Sequence, residues 1–291
     1  MSPDGTGPGR APVVDAHHHL WTSDYPWLRG EGLASIRRDY TVTDLRQALA
    51  TAGVDWTVLV EAGLCEPGET VRFLALAGAT PEILGVVGWA SFADPDIGAT
   101  VAGYRSLPGG GLLVGIRDQV QSQSRAYLAH PAVRAVLADL GRLGLVADLV
   151  VRADQLPECV DAARATPGTT FVLDHLGKPP IGGGRDARAA WRRAVTALAG
   201  CGNTVAKLSG LTQEAGPGWT PAMLQPYVDT ALEVFGPDRL MHGSDWPVCE
   251  LTASYAAVRA ALDTCLAPLS RHDRRAIFGG TAVRVYGLQI P

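Results

Sequence analysis

The chain has 291 residues, a formal net charge of -4 and 47% hydrophobic residues, the composition of an ordinary globular protein that can bury a large core. Acidic and basic residues are mixed along the sequence, so there is neither a basic stripe for nucleic acid nor a polybasic patch for a membrane surface. No window approaches the ~20 apolar residues of a membrane-spanning helix. We therefore expect a small-molecule ligand as the partner, and no nucleic acid or membrane.

The five cysteines are widely spread and show no metal-type or disulfide-type spacing, which favours a reducing, cytoplasmic location. Residues 1–12 contain Gly and Pro but lack the apolar stretch of a signal peptide, so they are predicted to be a disordered lead-in. Residues 13–291 are predicted to form one domain. The sequence leaves the oligomeric state open, a homo-oligomer included.

Eight short apolar runs alternate with helical patterns, of which residues 133–140 are an example, with apolar side chains at i, i+3, i+4 and i+7. Apolar strands separated by helices are typical of a parallel sheet covered by helices, and eight such units favour a closed (β/α)8 TIM barrel. The alternative, an open doubly wound sheet, would carry a glycine-rich phosphate loop where this chain has His17-His18-His19. The runs are Val13–His17, Trp56–Glu61, Leu84–Ser91, Leu112–Arg117, Leu145–Val151, Thr170–His175, Thr204–Ser209 and Leu240–Asp245.

The first run ends in a histidine triplet. Because side chains alternate along a strand, His17 and His19 are predicted to point to one side and His18 to the other. Imidazole nitrogens are good ligands for zinc and its neighbours among the divalent metals. A histidine-rich surface turn would contain the same residues, so the triplet by itself leaves both interpretations open.

Further polar residues stand at the ends of the other runs. The carboxyl ends of all strands in a (β/α)8 barrel open on one face, and unpaired charges are costly to bury inside apolar runs. These side chains are therefore predicted to converge on one site. They are His17 and His19 on the first strand, Glu61 on the second, Arg117 on the fourth, His175 on the sixth, Lys207 and Ser209 on the seventh and Asp245 on the eighth.

Several polar residues also have a structural interpretation. Asp15 and Asp174 lie inside predicted strands and are interpreted as partners for backbone or helix groups. Lys207 is predicted to be an ion-pair partner rather than a catalytic amine. Glu61 is a metal ligand, a pocket residue or an exposed rim residue, and His242 is a core histidine or a pocket residue.

Five blocks of the sequence resemble, in the correct order, the signatures of the amidohydrolase-related family, in particular its sugar-lactonase-like branch. The resemblance extends over nearly the whole chain after the lead-in. It implies a hydrolase that opens a small lactone ring, either a sugar aldonolactone or a related carboxylated lactone. The blocks are Asp15–Trp21, Tyr25–Leu28, Leu173–Pro179, Lys207–Leu211 and Gly243–Cys249.

The same resemblance implies roles for individual residues. Asp245 matches the eighth-strand general base, His175 the sixth-strand catalytic histidine, and Arg117 a pocket arginine that binds substrate. In the wider superfamily, a lysine in the region of Arg117 can be carbamylated to bridge two metals, so the arginine argues against a binuclear centre.

The resemblance further places His17 and His19 at metal-binding or carbonyl-polarising positions. It implies one divalent metal ion, zinc first, held by these histidines with Asp245 or Glu61, and a metal-free lactonase is the alternative. A metal would take up charge on the carbonyl oxygen and assist ionisation of water, while Asp245 accepts the water proton.

The connection Leu20–Arg38 is long and carries Trp21 and Trp27. Long loops on the catalytic face of a barrel usually shape the pocket. The two indoles are therefore predicted to bind substrate by stacking on a sugar ring, with a hydrophobic plug under the loop as the alternative.

Two other functions remain open at this stage. A nonhydrolytic decarboxylase or hydratase of the same superfamily, acting on a small carboxylated substrate, would use the same residues. A noncatalytic small-molecule-binding barrel would need none of the acid-base chemistry, and the set of strand-end residues argues against it.

Overall fold

The computed structural model describes residues 11–291, so most of the predicted lead-in lies outside the described part of the chain. Eight parallel strands pair in chain order, each with the next. They are β1 (Val14–His18), β2 (Trp56–Val60), β3 (Ile83–Trp89), β4 (Leu113–Asp118), β5 (Val146–Leu149), β6 (Phe171–Leu173), β7 (Thr204–Leu208) and β8 (Leu240–His242).

Helices connect successive strands and cover the sheet, and three of them follow β8. None of the helices formed by residues 11–291 is long and apolar enough to cross a membrane. They are α1 (Val42–Ala52), α2 (Pro67–Gly78), α3 (Ile97–Arg105), α4 (Pro131–Arg142), α5 (Leu156–Ala165), α6 (Gly184–Ala199), α7 (Leu211–Ala215), α8 (Pro221–Phe235), α9 (Tyr255–Cys265), α10 (Arg271–Arg275) and α11 (Thr281–Tyr286).

The residues just after β8 close the sheet against β1. The backbone N–H of Asp245 donates to the carbonyl of His17 at 2.9 Å, and the N–H of His19 donates to the carbonyl of Trp246 at 2.7 Å. Because these bonds join the last strand segment to the first, the predicted (β/α)8 barrel is confirmed.

The predicted runs match the observed strands to within three residues at either end, and two of the differences concern candidate site residues. The sixth and eighth runs were predicted to reach His175 and Asp245, but β6 ends at Leu173 and β8 at His242. His175 and Asp245 both have left-handed backbone, with φ of 54° and 58°. A left-handed residue cannot continue a strand, so both side chains project from tight turns beyond the strand ends.

A cluster of buried strand residues, mainly valines, packs against the end of the chain, to which α11 contributes Ala282 and Tyr286. Leu288 lies against Gly85 near the amino end of β3. Branched aliphatic side chains are the usual filling of such a barrel. The amino ends of the strands are thereby closed, and the carboxyl ends are left to form the site.

Candidate active site

The histidine triplet alternates as predicted. His17 and His19 point to the same side, and their Nε2 atoms are 3.1 Å apart. His18 instead bonds to the carbonyl of Val58 through Nδ1 at 3.0 Å. Nδ1 of His19 faces the carbonyl of Val60 at 2.9 Å, so it carries the proton, and Nε2 of His19 keeps its lone pair.

His17 lies between groups that determine which of its nitrogens is protonated. Its Nδ1 is 3.2 Å from Oδ1 of Asp174 and 3.1 Å from Nζ of Lys207. With a proton on Nδ1 facing Asp174, Nε2 keeps its lone pair, which Nη1 of Arg117 approaches at 3.3 Å. A metal bound to Nε2 would complete the carboxylate–histidine–metal arrangement common in metalloenzymes. With Nδ1 accepting from Lys207, Nε2 donates to His19 instead. Metal binding would select the first state.

His175 stands on a turn of left-handed residues that follows β6. Its Nδ1 lies 2.9 Å from the hydroxyl of Ser209. The ring packs so closely on Gly210, itself at φ 67°, that a Cβ there would lie 2.8 Å from the imidazole. A side chain at position 210 would therefore push the ring out of place.

The carboxylate of Asp245 faces all three imidazoles. Its Oδ1 is 3.7 Å from Nε2 of His17, 3.4 Å from Nε2 of His19 and 3.9 Å from Nε2 of His175. Its other oxygen, Oδ2, accepts a bond from Nε2 of Gln213 at 3.2 Å. Residues from three distant parts of the chain thus meet, as the strand-end pattern predicted.

Burial affects the protonation states of His17, His175 and Asp245. It lowers the pKa of His17 well below its ordinary value and that of His175 to about 4. Burial opposes ionisation of Asp245, but the neighbouring His175 and His19 outweigh it, and the pKa of Asp245 is lowered. At neutral pH the site therefore offers the neutral imidazoles of His17 and His175 and an ionised carboxylate.

This donor set fits a divalent metal. One ligand atom from each of His17, His175 and Asp245 lies within 4.8 Å of the others, and Nε2 of His19 is close to both His17 and Asp245. Atoms bound to one tetrahedral zinc are roughly 3.3 Å apart, given Zn–N bonds of about 2.0–2.1 Å. The residues could hold such an ion with small adjustments.

Glu61, a predicted ligand, faces elsewhere. Its Oε1 accepts bonds from Nε of Arg117 at 2.6 Å and from Nε2 of Gln119 at 2.5 Å, and its Oε2 accepts from the N–H of Gly63 at 2.8 Å. Within residues 11–291 it is not in the group of side chains that could share a metal. Its geometry fits a partner of Arg117 better than a ligand.

Arg117, predicted to bind substrate, borders the pocket but is only 4% exposed. In addition to its bond with Glu61, its Nη1 donates to Oδ2 of Asp174 at 2.9 Å. The guanidinium is therefore neutralised by two carboxylates. Its main contacts are with the protein, and little of its charge is left for a ligand.

Lys207 is fully buried beside Arg117 and shares the carboxylate of Asp174 with it. Its Nζ lies 2.5 Å from Oδ2 of Asp148 and 2.9 Å from Oδ1 of Asp174, so the predicted ion-pair role is confirmed. Burial raises the pKa of Asp148 to about 6, which leaves it mostly ionised at neutral pH. The four carboxylates Glu61, Asp148, Asp174 and Asp245 outnumber the two cations Arg117 and Lys207 by two. A divalent metal would balance this excess of negative charge.

A cavity of about 530 Å³ opens above the histidines. Trp21 and Trp27 line it, as predicted for substrate-binding residues, and their rings pack edge to face with centroids 5.1 Å apart. Nε1 of Trp27 donates to the carbonyl of Ala62 at 2.8 Å, which anchors the loop. Polar residues form much of the remaining wall: Asp118, Gln119, Gln121, Gln123, Lys178, Gln213 and Glu214.

Asp15 and His242 lie outside the cavity. Asp15 accepts bonds from the hydroxyls of Ser244 and Tyr255 at 2.6 and 2.5 Å, which confirms its structural role. His242 is buried against Phe278, and among residues 11–291 neither ring nitrogen has a hydrogen-bond partner. Burial lowers the pKa of His242 to about 3, so it is a neutral core residue.

Three positions at the candidate site were not identified from the sequence. The sequence predicts only a structural role for Asp174, although it stands beside His175 in a recognised block and contacts His17, Arg117 and Lys207. Lys178 belongs to the same block, but the sequence assigned it no role. Gln213 carried no signal, because its contact with Asp245 depends on the course of the chain after β7.

Comparison with known proteins agrees with this geometry. The family model described as amidohydrolase matches residues 14–288. The chain is 35% identical to an L-fucono-1,5-lactonase from Burkholderia multivorans, over 96% of this chain and 97% of the relative, and 35% identical to another from Burkholderia ambifaria, over 96% of each. A crystal structure of a Burkholderia multivorans amidohydrolase with bound zinc has a TM-score of 0.90 and 34% identity, and the match covers 96% of this chain and 100% of that one. The chain belongs to the amidohydrolase family.

Proposed function

We propose that this protein is a metal-assisted lactonase that hydrolyses a small, neutral sugar lactone, with Asp245 as the general base. The observation that carries the proposal is the position of the Asp245 carboxylate, 3.4–3.9 Å from three imidazole nitrogens at the floor of a cavity. Two relatives that match nearly the whole chain are L-fucono-1,5-lactonases.

Asp245 has the properties of a base for water. It is ionised at neutral pH because its pKa is lowered, and its geometry leaves Oδ1 facing the cavity floor while Gln213 holds Oδ2. As water attacks the lactone carbonyl, Oδ1 accepts the water proton. The amide of Gln213 keeps the carboxylate oriented for this transfer.

His17, His19, His175 and Asp245 would hold the metal ion. A zinc ion bound there would polarise the carbonyl and lower the pKa of water. Asp174 orients His17 through Nδ1, and the carbonyl of Val60 orients His19. Without an ion, the state of His17 that accepts from Lys207 through Nδ1 keeps a proton on Nε2, which can be donated to the carbonyl oxygen.

The walls favour a neutral polyhydroxylated ring over a carboxylated one. Arg117, the cation nearest the floor, is already neutralised by Glu61 and Asp174, so it offers little charge to a substrate carboxylate, and Lys178 is the other lysine or arginine of the wall. Acidic residues also line the cavity. The amides of the wall can bind hydroxyl groups, and the indoles of Trp21 and Trp27 can cover the apolar face of a sugar ring.

A lactone panel with metal analysis tests the proposal. Purified protein is assayed for acid release from L-fucono-1,5-lactone and from a dicarboxylated pyrone lactone, and for carbon dioxide release from aromatic carboxylates. We expect rapid acid release from the sugar lactone and close to one zinc per chain. Carbon dioxide release without lactone opening would instead indicate a decarboxylase. A preference for the dicarboxylated lactone would contradict the assignment of a neutral substrate.

A further inference from the structure

The distribution of lysine in this chain is uneven. Of its 25 basic residues, only Lys178 and Lys207 are lysines, and all the others are arginines. Both lysines lie at the active site: Lys207 is buried beneath His17, and Lys178 lines the cavity. Arginine supplies positive charge elsewhere, so the two lysines mark positions at which the ammonium group itself matters.

The backbone delivers Lys178 to the cavity through an unusual turn. The residues 175–178 all have positive φ, from 50° to 66°, and the N–H of Lys178 donates to the carbonyl of His175 at 2.9 Å. Left-handed residues other than glycine cost of order 1–3 kcal/mol each and persist where the surrounding structure enforces them. Here the indole of Trp191 holds the turn by donating to the carbonyl of Leu176 at 2.9 Å. The same turn presents His175 and Lys178 to one cavity.

The charge of Lys178 is not neutralised. Its Nζ bonds to the amide oxygen of Gln121 at 2.5 Å, and within residues 11–291 no carboxylate forms a salt bridge with it. Lys207 and Arg117 each have two carboxylate partners. Lys178 is therefore the cavity cation whose charge is available to a bound ligand. Its charge also acts on His175 and on Glu214 across the same cavity.

Hydrolysis of a lactone produces negative charge on two oxygens. In the proposed mechanism the carbonyl oxygen lies toward the histidines. The ring oxygen becomes an alkoxide when its bond to the carbonyl carbon breaks, and it then needs a proton from another group. Resting on the proposed lactonase function, we propose that Lys178 is a catalytic residue that donates a proton to the departing ring oxygen.

The proposed step conserves protons and electrons. Water adds to the carbonyl carbon and transfers a proton to Asp245. The bond between that carbon and the ring oxygen breaks, its electron pair stays on the oxygen, and the oxygen takes a proton from the Lys178 ammonium. Asp245 then releases a proton to solvent and Lys178 regains one, so lactone and water give the open hydroxy acid.

This role explains why the position is a lysine. An arginine would supply the same charge, but its guanidinium does not lose a proton in proteins. An ammonium can both bind an oxygen and transfer a proton to it. Lys178→Arg therefore keeps the positive charge but cannot transfer a proton, whereas Lys178→Ala removes both the charge and the proton.

The test compares leaving groups. A sugar lactone releases an alkoxide, whereas dihydrocoumarin releases a phenolate, whose pKa near 10 makes protonation unnecessary. We expect Lys178→Arg to lower kcat for L-fucono-1,5-lactone about 100-fold, as for loss of a general acid, with nearly unchanged KM and nearly unchanged turnover of dihydrocoumarin. Added ethylamine should restore part of the activity of Lys178→Ala on the sugar lactone. Arg185→Met, which removes an exposed cation on the same connection, should behave as wild type.

Each outcome of this test either supports or overturns the role of Lys178 as proton donor. Wild-type kcat in Lys178→Arg on the sugar lactone would overturn the proposal, as would equal losses on both lactones without rescue by ethylamine, which indicate a structural role. Activity on dihydrocoumarin reports that a variant is folded. Wild-type protein that opens neither lactone contradicts the proposed function itself, so the two failures are distinguishable.

Discussion

Two layers of charge at the carboxyl end of the barrel differ in how completely their members are paired. The inner layer consists of Glu61, Arg117, Asp148, Asp174 and Lys207. The pocket layer consists of His17, His19, His175, Lys178 and Asp245. Every cation of the inner layer has two carboxylate partners within 3 Å. In the pocket layer, Asp245 is no closer than 3.4 Å to an imidazole nitrogen, and the partner of the Lys178 ammonium among residues 11–291 is the amide of Gln121.

This difference indicates a structural role for the inner layer and a chemical role for the pocket layer. Buried ion pairs contribute little net stability, because desolvation offsets their attraction, but removing one partner is costly. The inner layer therefore fixes geometry, in particular that of His17 through Asp174. The pocket layer retains charges and lone pairs that a metal ion and a substrate can use.

The largest expected effect comes from removing the base in the pocket layer. Asp245→Asn keeps the shape and the bond from Gln213 but cannot accept a proton, so kcat/KM for L-fucono-1,5-lactone should fall by about 10²–10⁴. Because the lowered pKa of Asp245 means that its ionised carboxylate stabilises the fold at neutral pH, the free energy of unfolding, measured with urea, should fall somewhat while the variant stays folded. A variant that keeps wild-type turnover would show that Asp245 is not the base.

Removing a cation from the inner layer should lower the stability of the fold. Lys207→Met leaves Asp148 and Asp174 buried without their shared cation, and we expect the free energy of unfolding to drop by roughly 3–5 kcal/mol. Adding Asp148→Asn should recover part of this loss, because it removes one unpaired charge. A loss that is absent from Lys207→Met would contradict the supporting role of the inner layer.

The smallest effect concerns Glu69 on α2, a buried carboxylate that forms no salt bridge with a residue of the described range 11–291. Its Oε1 accepts a bond from the hydroxyl of Tyr25 at 2.7 Å, and within residues 11–291 its Oε2 has no partner. Burial, with the nearby charge of Glu61, raises the pKa of Glu69 to about 7. The folded protein therefore binds this proton more tightly than the unfolded chain does, and stability from this group falls as pH rises from about 4.3 to about 7.

Glu69→Gln should remove that dependence. The amide can keep the bond with Tyr25 but does not titrate, so the variant should be more stable than wild type at pH 8, by roughly 1–3 kcal/mol, and not more stable at pH 4. Urea unfolding across this range measures the effect. Parallel pH profiles for the two proteins would contradict the raised pKa.

Local patterns in the sequence were sufficient for the barrel and for much of the pocket layer. Apolar runs reported the strands, and alternation along β1 placed His17 and His19 together. The inner layer could not be predicted in detail, because the pairing of Glu61 on β2 with Arg117 on β4 depends on side-chain packing across the barrel. The left-handed turn that carries His175 and Lys178 was missed because its residues, apart from one glycine, do not favour that backbone.

The direct test of the central claim, that the pocket layer adds water to a lactone carbonyl, is hydrolysis of L-fucono-1,5-lactone in ¹⁸O-labelled water, followed by mass spectrometry of the product. We predict one ¹⁸O atom in the carboxylate of the hydroxy acid and none in the hydroxyl released from the ring. Label in that hydroxyl, or a product without label, would contradict the mechanism.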